Sequence, residues 1–353
     1  METIFSDSKM DIKPLVSVCM ITYNQSLYIK QAIEGVLMQE TDFPFEFIIS
    51  DDCSTDSTRK ICQYYKELYP DKITLLLPEK NLGISDNFYT TLFSATGKYI
   101  AFCEGDDYWI DSHKLQKQVA YLETHPNVGC VYTDFNRLWQ ANGFLECSVF
   151  HTNSKWFPLH SDLATFVCTP SYLAPCTWMF RKELLVKPSF ESVDSTFVLF
   201  AHMLSKTDIY FLPDTTSVYR LLPESASHSN SLEKTYMRVS GLYTAQMELV
   251  KLYNLPMNIK EEIDEKYYLT YLRLLAAFGD KDVIIEMRRA LRGKRLSFYQ
   301  YFRLQVARTQ LGRKIIRILY KFYFQYLQPI ITQYFIDNKS EIWLLFLIAH
   351  SKR

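Results

Sequence analysis

The chain has 353 residues, 48% of them hydrophobic, and its 39 basic and 39 acidic residues give a formal net charge of zero. This length allows about two domains, and the balanced charge argues against a nucleic-acid partner. The first seven residues lack the basic end and apolar core of a signal peptide, so we expect a cytoplasmic protein. The eight cysteines form no C-x-x-C motif, and Cys19, Cys103 and Cys130 lie in apolar runs, which predicts buried free thiols.

Short apolar runs alternate with segments of helical period between residues 15 and 134, which predicts an α/β fold with a mostly parallel sheet flanked by helices. The predicted strands cover residues 15–21, 45–49, 73–77, 99–103 and 128–132. The first predicted helix buries Ile29, Ala32, Ile33, Val36 and Leu37. A second follows cap candidates Ser54 and Asp56 and buries Ile61, Tyr65 and Leu68, and a third covers residues 84–95.

Polar, turn-compatible residues follow each of the first four predicted strands. They are Thr22-Tyr23-Asn24, Asp51-Asp52, Asn81-Leu82-Gly83 and Glu104-Gly105-Asp106-Asp107. The carboxyl ends of parallel strands meet at one edge of the sheet, which is where open α/β sheets bind ligands. Carboxylates held together repel unless a cation compensates their charge, so the last group predicts a metal site, with a solvated acidic turn as the alternative.

Several common nucleotide and catalytic motifs are absent from the sequence. Neither a G-x-G-x-x-G dinucleotide fingerprint nor a G-x-x-x-x-G-K-[ST] phosphate loop occurs, and no G-x-S-x-G nucleophile elbow occurs. An aromatic and polar loop, a carboxylate pair and a carboxylate cluster remain. This combination suits a nucleotide-diphosphate ligand.

Taken in order, residues 16–24, 49–56, 81–83 and 97–109 resemble the motifs of family 2 glycosyltransferases with the GT-A fold. The resemblance spans roughly residues 14–230 and implies a Rossmann-like catalytic domain over residues 1–230. Its nucleotide-sugar half would cover about 14–110, and its acceptor half about 111–230. Residues 231–353 are expected to be a basic and aromatic helical extension.

The resemblance also implies roles for individual residues. Thr22, Tyr23, Asp51 and Asp52 would hold the nucleoside, with Asn24, Asn81 and Gly83 in the same loops. Asp106 corresponds to the last carboxylate of the family's D-x-D motif and would bind Mg²⁺ or Mn²⁺ on the donor diphosphate. Glu104 replaces the usual first aspartate, which leaves the division of roles among Glu104, Asp106 and Asp107 open.

An inverting transfer also needs a carboxylate base for the acceptor hydroxyl. Asp194 precedes an apolar helical run, as the family's base does, with an N-cap as the alternative role and Glu191 as the reserve candidate. Arg220 would neutralise the leaving group, or be a strand-end arginine, and the loop containing His228 follows it. Trp178 would line the acceptor cleft or belong to the core.

The C-terminal third has long helical patterns, with Tyr267, Tyr268, Tyr271, Leu272 and Leu275 on one face. No acidic residue occurs between Met287 and Ile336, where arginines and lysines alternate with aromatic residues. This pattern is typical of an interfacial helix at anionic lipid, and it predicts peripheral membrane contact through residues 288–336. The alternative is a helical subdomain packed on the catalytic domain or on a second copy. Basic residues, Pro329 and the shortness of the 342–348 run argue against a spanning helix.

The sequence therefore predicts an inverting, metal-dependent glycosyltransferase. It would move a sugar from a nucleotide-diphosphate sugar, expected to be UDP-linked, to a hydroxyl of a glycan or lipid-linked acceptor in polysaccharide biosynthesis. A metal-dependent nucleotidyltransferase and a non-catalytic nucleotide- or glycan-binding protein of the same fold are the alternatives. A nucleotidyltransferase would be recognised by its released product, pyrophosphate instead of nucleoside diphosphate. A non-catalytic binding protein would bind the donor without turnover.

Overall fold

The computed structural model describes residues 13–152, 162–170, 174–222 and 231–322. They form two compact units, one within Met1–Ser225 and one within Ala226–Arg353. In the first unit, nine described strands form one sheet. The strands are β1 (Val16–Thr22), β2 (Phe45–Asp51), β3 (Ile73–Leu76), β4 (Tyr99–Phe102), β5 (Tyr108–Trp109), β6 (Val128–Trp139), β7 (Phe144–Glu146), β8 (Met179–Arg181) and β9 (Asp208–Leu221).

Seven helices are described in the first unit. They are α1 (Ile29–Leu37), α2 (Thr58–Leu68), α3 (Ile84–Phe93), α4 (Lys114–Thr124), α5 (Val149–Thr152), α6 (Leu163–Cys168) and α7 (Ser195–Lys206). Short 3₁₀ turns at Pro175–Thr177 and Lys182–Leu184 lie on either side of β8.

The strand order is β3-β2-β1-β4-β8-β6-β9-β5, and β7 pairs with β6. Strands β3, β2, β1 and β4 are parallel to one another, and β8 is antiparallel to β4. The chain order changes direction at β1, which is the switch point where open α/β sheets bind ligands. The α/β fold predicted from the alternating pattern is confirmed.

Burial explains why the central strands are continuous apolar runs. All seven residues of β1 and all four of β4 are buried, because the sheet is covered on both faces there. Helix α1 packs its predicted face inward through Ile29, Ile33 and Val36. The predicted burial of Cys19, Cys103 and Cys130 is also confirmed, and all three are free thiols.

Two predictions for α2 were wrong. Its N-cap position is Ser57, which makes no side-chain capping bond. Instead, Asp56 accepts the Thr58 N–H at 2.9 Å and the Ser26 N–H at 3.0 Å, so it ties the start of α2 to the loop after β1. Leu68 is exposed in the last turn of the helix, and Cys62 is buried instead.

Strand β6 runs seven residues beyond the predicted end at Tyr132 because its polar residues find partners within the fold. The Thr133 and Thr216 hydroxyls are 2.6 Å apart. Asp134 accepts the N–H groups of Phe135 and Phe150. Satisfied in this way, buried polar groups do not end a strand.

The described part of the second unit is helical. Its helices are α8 (Leu232–Leu252), α9 (Met257–Thr270), α10 (Leu272–Phe278), α11 (Lys281–Ala290), α12 (Phe298–Val306) and α13 (Gln310–Phe322). Tyr267, Tyr268, Leu272 and Leu275 lie in its core, and Tyr271 packs against that core between α9 and α10. The predicted apolar face is therefore formed by two consecutive helices.

None of the helices in the described ranges has the length and hydropathy needed to cross a membrane. Pro329, the apolar run 342–348 and the loop with His228 lie outside the described residues.

Candidate active site

The loops after β1, β2 and β4 lie side by side at the carboxyl edge of the sheet. Thr22 is the register partner of Asp51. The Asp52 N–H donates to the Thr22 carbonyl at 3.0 Å, and the Gly105 N–H donates to the Ile21 carbonyl at 3.0 Å. The sheet therefore brings together three of the four polar groups predicted from the sequence, and the fourth, after β3, joins them through Asp52.

Asp51 is fully buried at the end of β2. Its Oδ2 accepts the Arg59 Nε–H at 2.8 Å and the Ser54 N–H at 3.2 Å. Its Oδ1 is buried without a hydrogen-bond partner among the described residues. Burying such an oxygen without a hydrogen bond is energetically unfavourable, and a ligand N–H or O–H would relieve this cost. Nothing in the sequence pattern had indicated Arg59, because arginine is common on exposed helix faces.

Asp52 is engaged by the chain itself. Its Oδ1 accepts the Leu82 N–H at 2.7 Å, and its Oδ2 accepts the Gly83 N–H at 3.0 Å. Asn81 donates its side-chain amide to the Asp52 carbonyl at 2.9 Å. Gly83 has φ +82°, a conformation that glycine adopts readily. Asp52, Asn81 and Gly83 therefore shape the loop that starts α3.

The Thr22-Tyr23-Asn24 loop presents different side chains to different sides. The buried Thr22 hydroxyl donates to Gln25 Oε1 at 2.7 Å. Asn24 has φ +53°, and its Oδ1 accepts the Thr55 N–H at 2.8 Å. Tyr23 is 47% exposed, so its ring is accessible at the sheet edge.

The loop after β4, Glu104 to Asp107, is called the acidic loop, and it packs closely against the loop after β1. A Cβ at Gly105 would lie 2.8 Å from Thr22 Oγ1 and 2.6 Å from Gln25 Oε1, so a side chain there would force a shift. Glycine between Glu104 and Asp106 thus allows the carboxylates to approach β1.

Burial opposes ionisation of all three carboxyls, and acidic neighbours add to the effect at Glu104 and Asp107. Burial, followed by the charges of Asp106 and Asp194, raises the pKa of Glu104 to about 8. Burial also raises the pKa of Asp106, although a Gln25 hydrogen bond and the Arg220 charge oppose the shift. Burial and then its two acidic neighbours raise the pKa of Asp107 well above its usual value. A cation would relieve all three.

The chemistry of this loop fits a divalent metal. Glu104 Oε2 and Asp107 Oδ2 are buried without hydrogen-bond partners among the described residues. Within the same ranges, no three acidic, histidine or cysteine side chains are arranged to enclose a metal ion by themselves. A metal here would need further oxygen ligands from a bound anion or water, as Mg²⁺ commonly does.

Arg220, at the end of β9, faces the acidic loop. It is 5% exposed, and its guanidinium lies over the Tyr108 ring at 4.5 Å and the Tyr28 ring at 5.2 Å. One nitrogen, Nη2, donates to Gln31 Oε1, while Nε and Nη1 have no partner among the described residues. Two unpaired donor nitrogens of a buried guanidinium form a strong site for an anion.

The Arg220 backbone N–H donates to Asp107 Oδ1 at 2.9 Å, so Asp107 joins the acidic loop to β9. Tyr28, Gln31 and Tyr108 were not predicted. Gln31 is exposed on α1 and carries no motif, so only the fold reveals its contact with Arg220.

Asp194 is the N-cap of α7, as the alternative prediction held. Its Oδ1 accepts the Phe197 N–H at 2.9 Å and the Thr196 hydroxyl at 2.6 Å. Its charge also contributes to the raised pKa of Glu104, which indicates that Asp194 lies near the acidic loop. Glu191 is exposed. Trp178 is buried against Phe200, with ring centroids 5.0 Å apart, and its indole N–H has no partner in the described ranges.

The family model described as Glycosyl transferase family 2 matches residues 17–187, which contain the four polar loops after β1, β2, β3 and β4. This region is a family 2 glycosyl transferase domain. An uncharacterised protein of Mycobacterium tuberculosis (strain H37Rv) is 32% identical over 222 residues, 61% of each chain. A putative teichuronic acid biosynthesis glycosyltransferase of Bacillus subtilis is 40% identical over 110 residues, 31% of this chain and 42% of that protein. The chain thus matches less than two thirds of the length of these relatives.

Solved glycosyltransferases share the fold of this chain. Staphylococcus aureus TarS 1–349, in complex with UDP-GlcNAc, has a TM-score of 0.57 and 18% identity, covering 87% of this chain and 91% of that one. The Pyrobaculum calidifontis mannosyltransferase PcManGT, in complex with GDP-Man and Mn²⁺, has a TM-score of 0.51 and 18% identity, covering 90% and 88%. The glycosyl transferase domain has the GT-A fold.

Proposed function

We propose that this glycosyltransferase is inverting and metal-dependent. It would move a sugar from a nucleotide-diphosphate sugar, expected to be UDP-linked, to a hydroxyl of a glycan or lipid-linked acceptor in polysaccharide biosynthesis. The observation that carries the proposal is the convergence of unpaired buried groups of both signs, Asp51 Oδ1, Glu104 Oε2 and the Arg220 guanidinium, at one sheet edge. The names of the teichuronic acid relative and of the two sugar-nucleotide complexes support it.

The nucleoside would bind at the loops after β1 and β2. Asp51 Oδ1 would accept an N–H of the base, because Arg59 already holds its other oxygen in place. The accessible Tyr23 ring offers an aromatic face to the base. Thr22 and Asn24 would fix the loop around it. Asp52, Asn81 and Gly83 would shape the far wall rather than contact the ligand.

The diphosphate would lie between the acidic loop and Arg220. Asp106 would hold Mg²⁺ or Mn²⁺, which when bound would balance the charge of the diphosphate and of the leaving nucleotide. Arg220 would donate from its two unpaired nitrogens, Nε and Nη1, to phosphate oxygens, which would stabilise the negative charge that develops as the bond breaks. Glu104 would contact the ribose or a water molecule near the metal.

Asp194 would accept the proton of the attacking acceptor hydroxyl. Both hydrogen bonds described above for its side chain are accepted by Oδ1, so Oδ2 is the oxygen that would act as base. We further propose that residues 1–230 are the catalytic domain, that residues 231–353 are a helical extension and that the protein works in the cytoplasm.

Product analysis with an Asp106 variant tests this function. With Mn²⁺, an acceptor mixture and a panel of sugar nucleotides, the wild type should release nucleoside diphosphate. Asp106→Asn keeps the size of the side chain but loses its charge, so release should fall at least about 100-fold. Asp86→Asn, on the exposed start of α3, is the matched control and should retain activity. Pyrophosphate as the product, or normal turnover by Asp106→Asn, would contradict the proposal.

A further inference from the structure

Helix α13 has an exposed apolar stripe that the core of its unit does not use. Leu311, Ile315 and Ile318 follow one another at four- and three-residue steps, with Leu319 beside them, and all four are between 46% and 67% exposed. The core face is a different one, formed by Gly312 and Ile316. Helix α12 likewise buries Leu304 and exposes Phe298, Tyr301 and Phe302. Exposed clusters of this kind mark a binding surface more often than isolated apolar residues do.

Exposed cations lie on α13 and in the segment between α11 and α12. Arg292, Arg295 and Lys314 are exposed and make no ion pair within the described ranges. Arg303 is half-buried, and burial together with the nearby charge of Arg273 lowers its pKa. The sequence contains no acidic residue between Met287 and Ile336. Glu265 of α9 and Glu233 of α8 pair with Lys294 and Lys321, and the other three cations have no such partner within the described ranges. The surface therefore combines apolar side chains with three cations, Arg292, Arg295 and Lys314, that no described acidic residue pairs with.

These charges distinguish between the possible occupants. A second copy docking by the same face would place basic residues against basic residues, which is unfavourable. A neutral apolar partner would leave the cations without counter-ions. An anionic lipid bilayer supplies both an apolar interior for the stripe and phosphate groups for the cations.

We propose that the surface formed by the apolar stripe of α13, the exposed aromatic residues of α12 and the cations Arg292, Arg295 and Lys314 docks on an anionic membrane. The two helices would lie in the interfacial plane, with the apolar side chains below the headgroups and the cations among them. This contact is separate from sugar transfer, and it would place the enzyme beside a lipid-linked acceptor.

Sedimentation of the full chain with lipid vesicles tests the docking. Vesicles of equal parts phosphatidylglycerol and phosphatidylcholine should bind it at least tenfold more tightly than vesicles of phosphatidylcholine alone, and 0.5 M salt should weaken the binding several-fold. The pair Leu311→Asp and Ile318→Asp should reduce binding at least tenfold, as should the pair Arg295→Glu and Lys314→Glu.

Two variants on other exposed positions serve as controls. Met257→Asp, on α9, and Lys60→Glu, on α2, should bind vesicles as the wild type does. Circular dichroism should show that each variant is folded. If the aspartate pair does not fold, the pair Leu311→Gln and Ile318→Gln replaces it. Nucleoside diphosphate release from a soluble donor should stay unchanged, so a failure here is separable from a failure of the proposed function. The proposal would be overturned by equal binding to both vesicle types, by no binding, or by stripe variants that bind normally. It would also be overturned if the stripe variants lost only the association of the chain with a second copy and kept vesicle binding.

Discussion

Arg220 is buried between two tyrosine rings, yet two of its guanidinium nitrogens have no partner among the described residues. Its third nitrogen, Nη2, is held by Gln31. A buried cation in this position costs free energy in the unliganded enzyme, and an arriving anion offsets that cost. Gln31 therefore orients the group that meets the anion, although it needs no contact with the ligand itself.

Gln31→Leu tests this positioning role. Leucine cannot accept the Nη2–H, so the guanidinium loses one of its orienting contacts. Because a hydrogen bond to a charged group contributes about 1.5–3 kcal/mol, we expect nucleoside diphosphate release to fall about tenfold or more in kcat/KM. Gln31→Asn, whose amide is one methylene shorter, should be intermediate. Lys30→Leu, the exposed neighbour on α1, is the control for helix stability and should behave as the wild type.

At the scale of elements, α7 combines a structural and a proposed chemical role at its first turn. The Asp194 carboxylate caps the helix with one oxygen, while a second contact joins the same turn to α3, because the Ser195 hydroxyl donates to the Ser85 hydroxyl at 2.9 Å. A cap anchored from two sides holds its carboxylate in a fixed direction. A general base needs that property, since proton transfer requires hydrogen-bond distance.

Substitutions at Asp194 separate the two roles. Asparagine is as good a cap as aspartate, so the free energy of unfolding of Asp194→Asn should be within about 0.5 kcal/mol of the wild-type value. Its rate of sugar transfer should fall about 100-fold or more. Asp194→Ala should lose transfer and also about 1 kcal/mol of stability. Asp280→Asn, at the N-cap of α11, is the matched control and should leave transfer intact. Near-normal transfer by Asp194→Asn would leave Asp194 with the capping role alone.

At the scale of the whole molecule, the sequence predicted well what depends on local pattern. The order of strands and helices up to β4 and the buried faces of β1 and α1 follow from hydrophobic periodicity. The sheet edge that carries both Asp51 and Gly105 follows from strand direction. Contacts between distant elements could not be predicted. Arg220 and Gln31 are 189 positions apart, and neither residue carries a local signal for the other.

The extension of β6 beyond Tyr132 was missed for the same reason. A sequence pattern treats Thr133 and Asp134 as polar residues that end a strand, whereas in the fold β9 and α5 provide their partners. The buried Lys114 is a further example, because lysine at the start of a helix normally faces water. Such residues depend on tertiary context that no short stretch of sequence contains.

Lys114 lies under the sheet with no exposed surface. Its Nζ donates to Gln118 Oε1 at 2.6 Å and lies 4.5 Å from the centre of the Trp109 ring. The titratable groups around it are Cys103, Cys130, Cys176 and Asp111, and burial lowers the pKa of Lys114 to about 7. The protonated lysine is therefore disfavoured in the folded chain, and the resulting cost to stability is full below pH 7 and decreases as the pH rises from 7 toward 10.5.

This cost predicts how stability changes with pH. The unfolded chain keeps the lysine proton up to pH 10.5, its ordinary pKa, while the folded chain releases it near pH 7, so this residue's contribution to the unfolding free energy should rise above pH 7. The expected slope is at most about 1.4 kcal/mol per pH unit. Lys114→Met removes the titrating group. The unfolding free energies of wild type and variant can be measured by urea unfolding, followed by tryptophan fluorescence, from about pH 6 to 9. The difference, wild type minus variant, should show this rise. Lys117→Met, an exposed lysine paired with Asp111 and Asp214, should give a flat difference over that range. A flat difference for Lys114→Met as well would mean that Lys114 keeps an ordinary pKa in the folded chain.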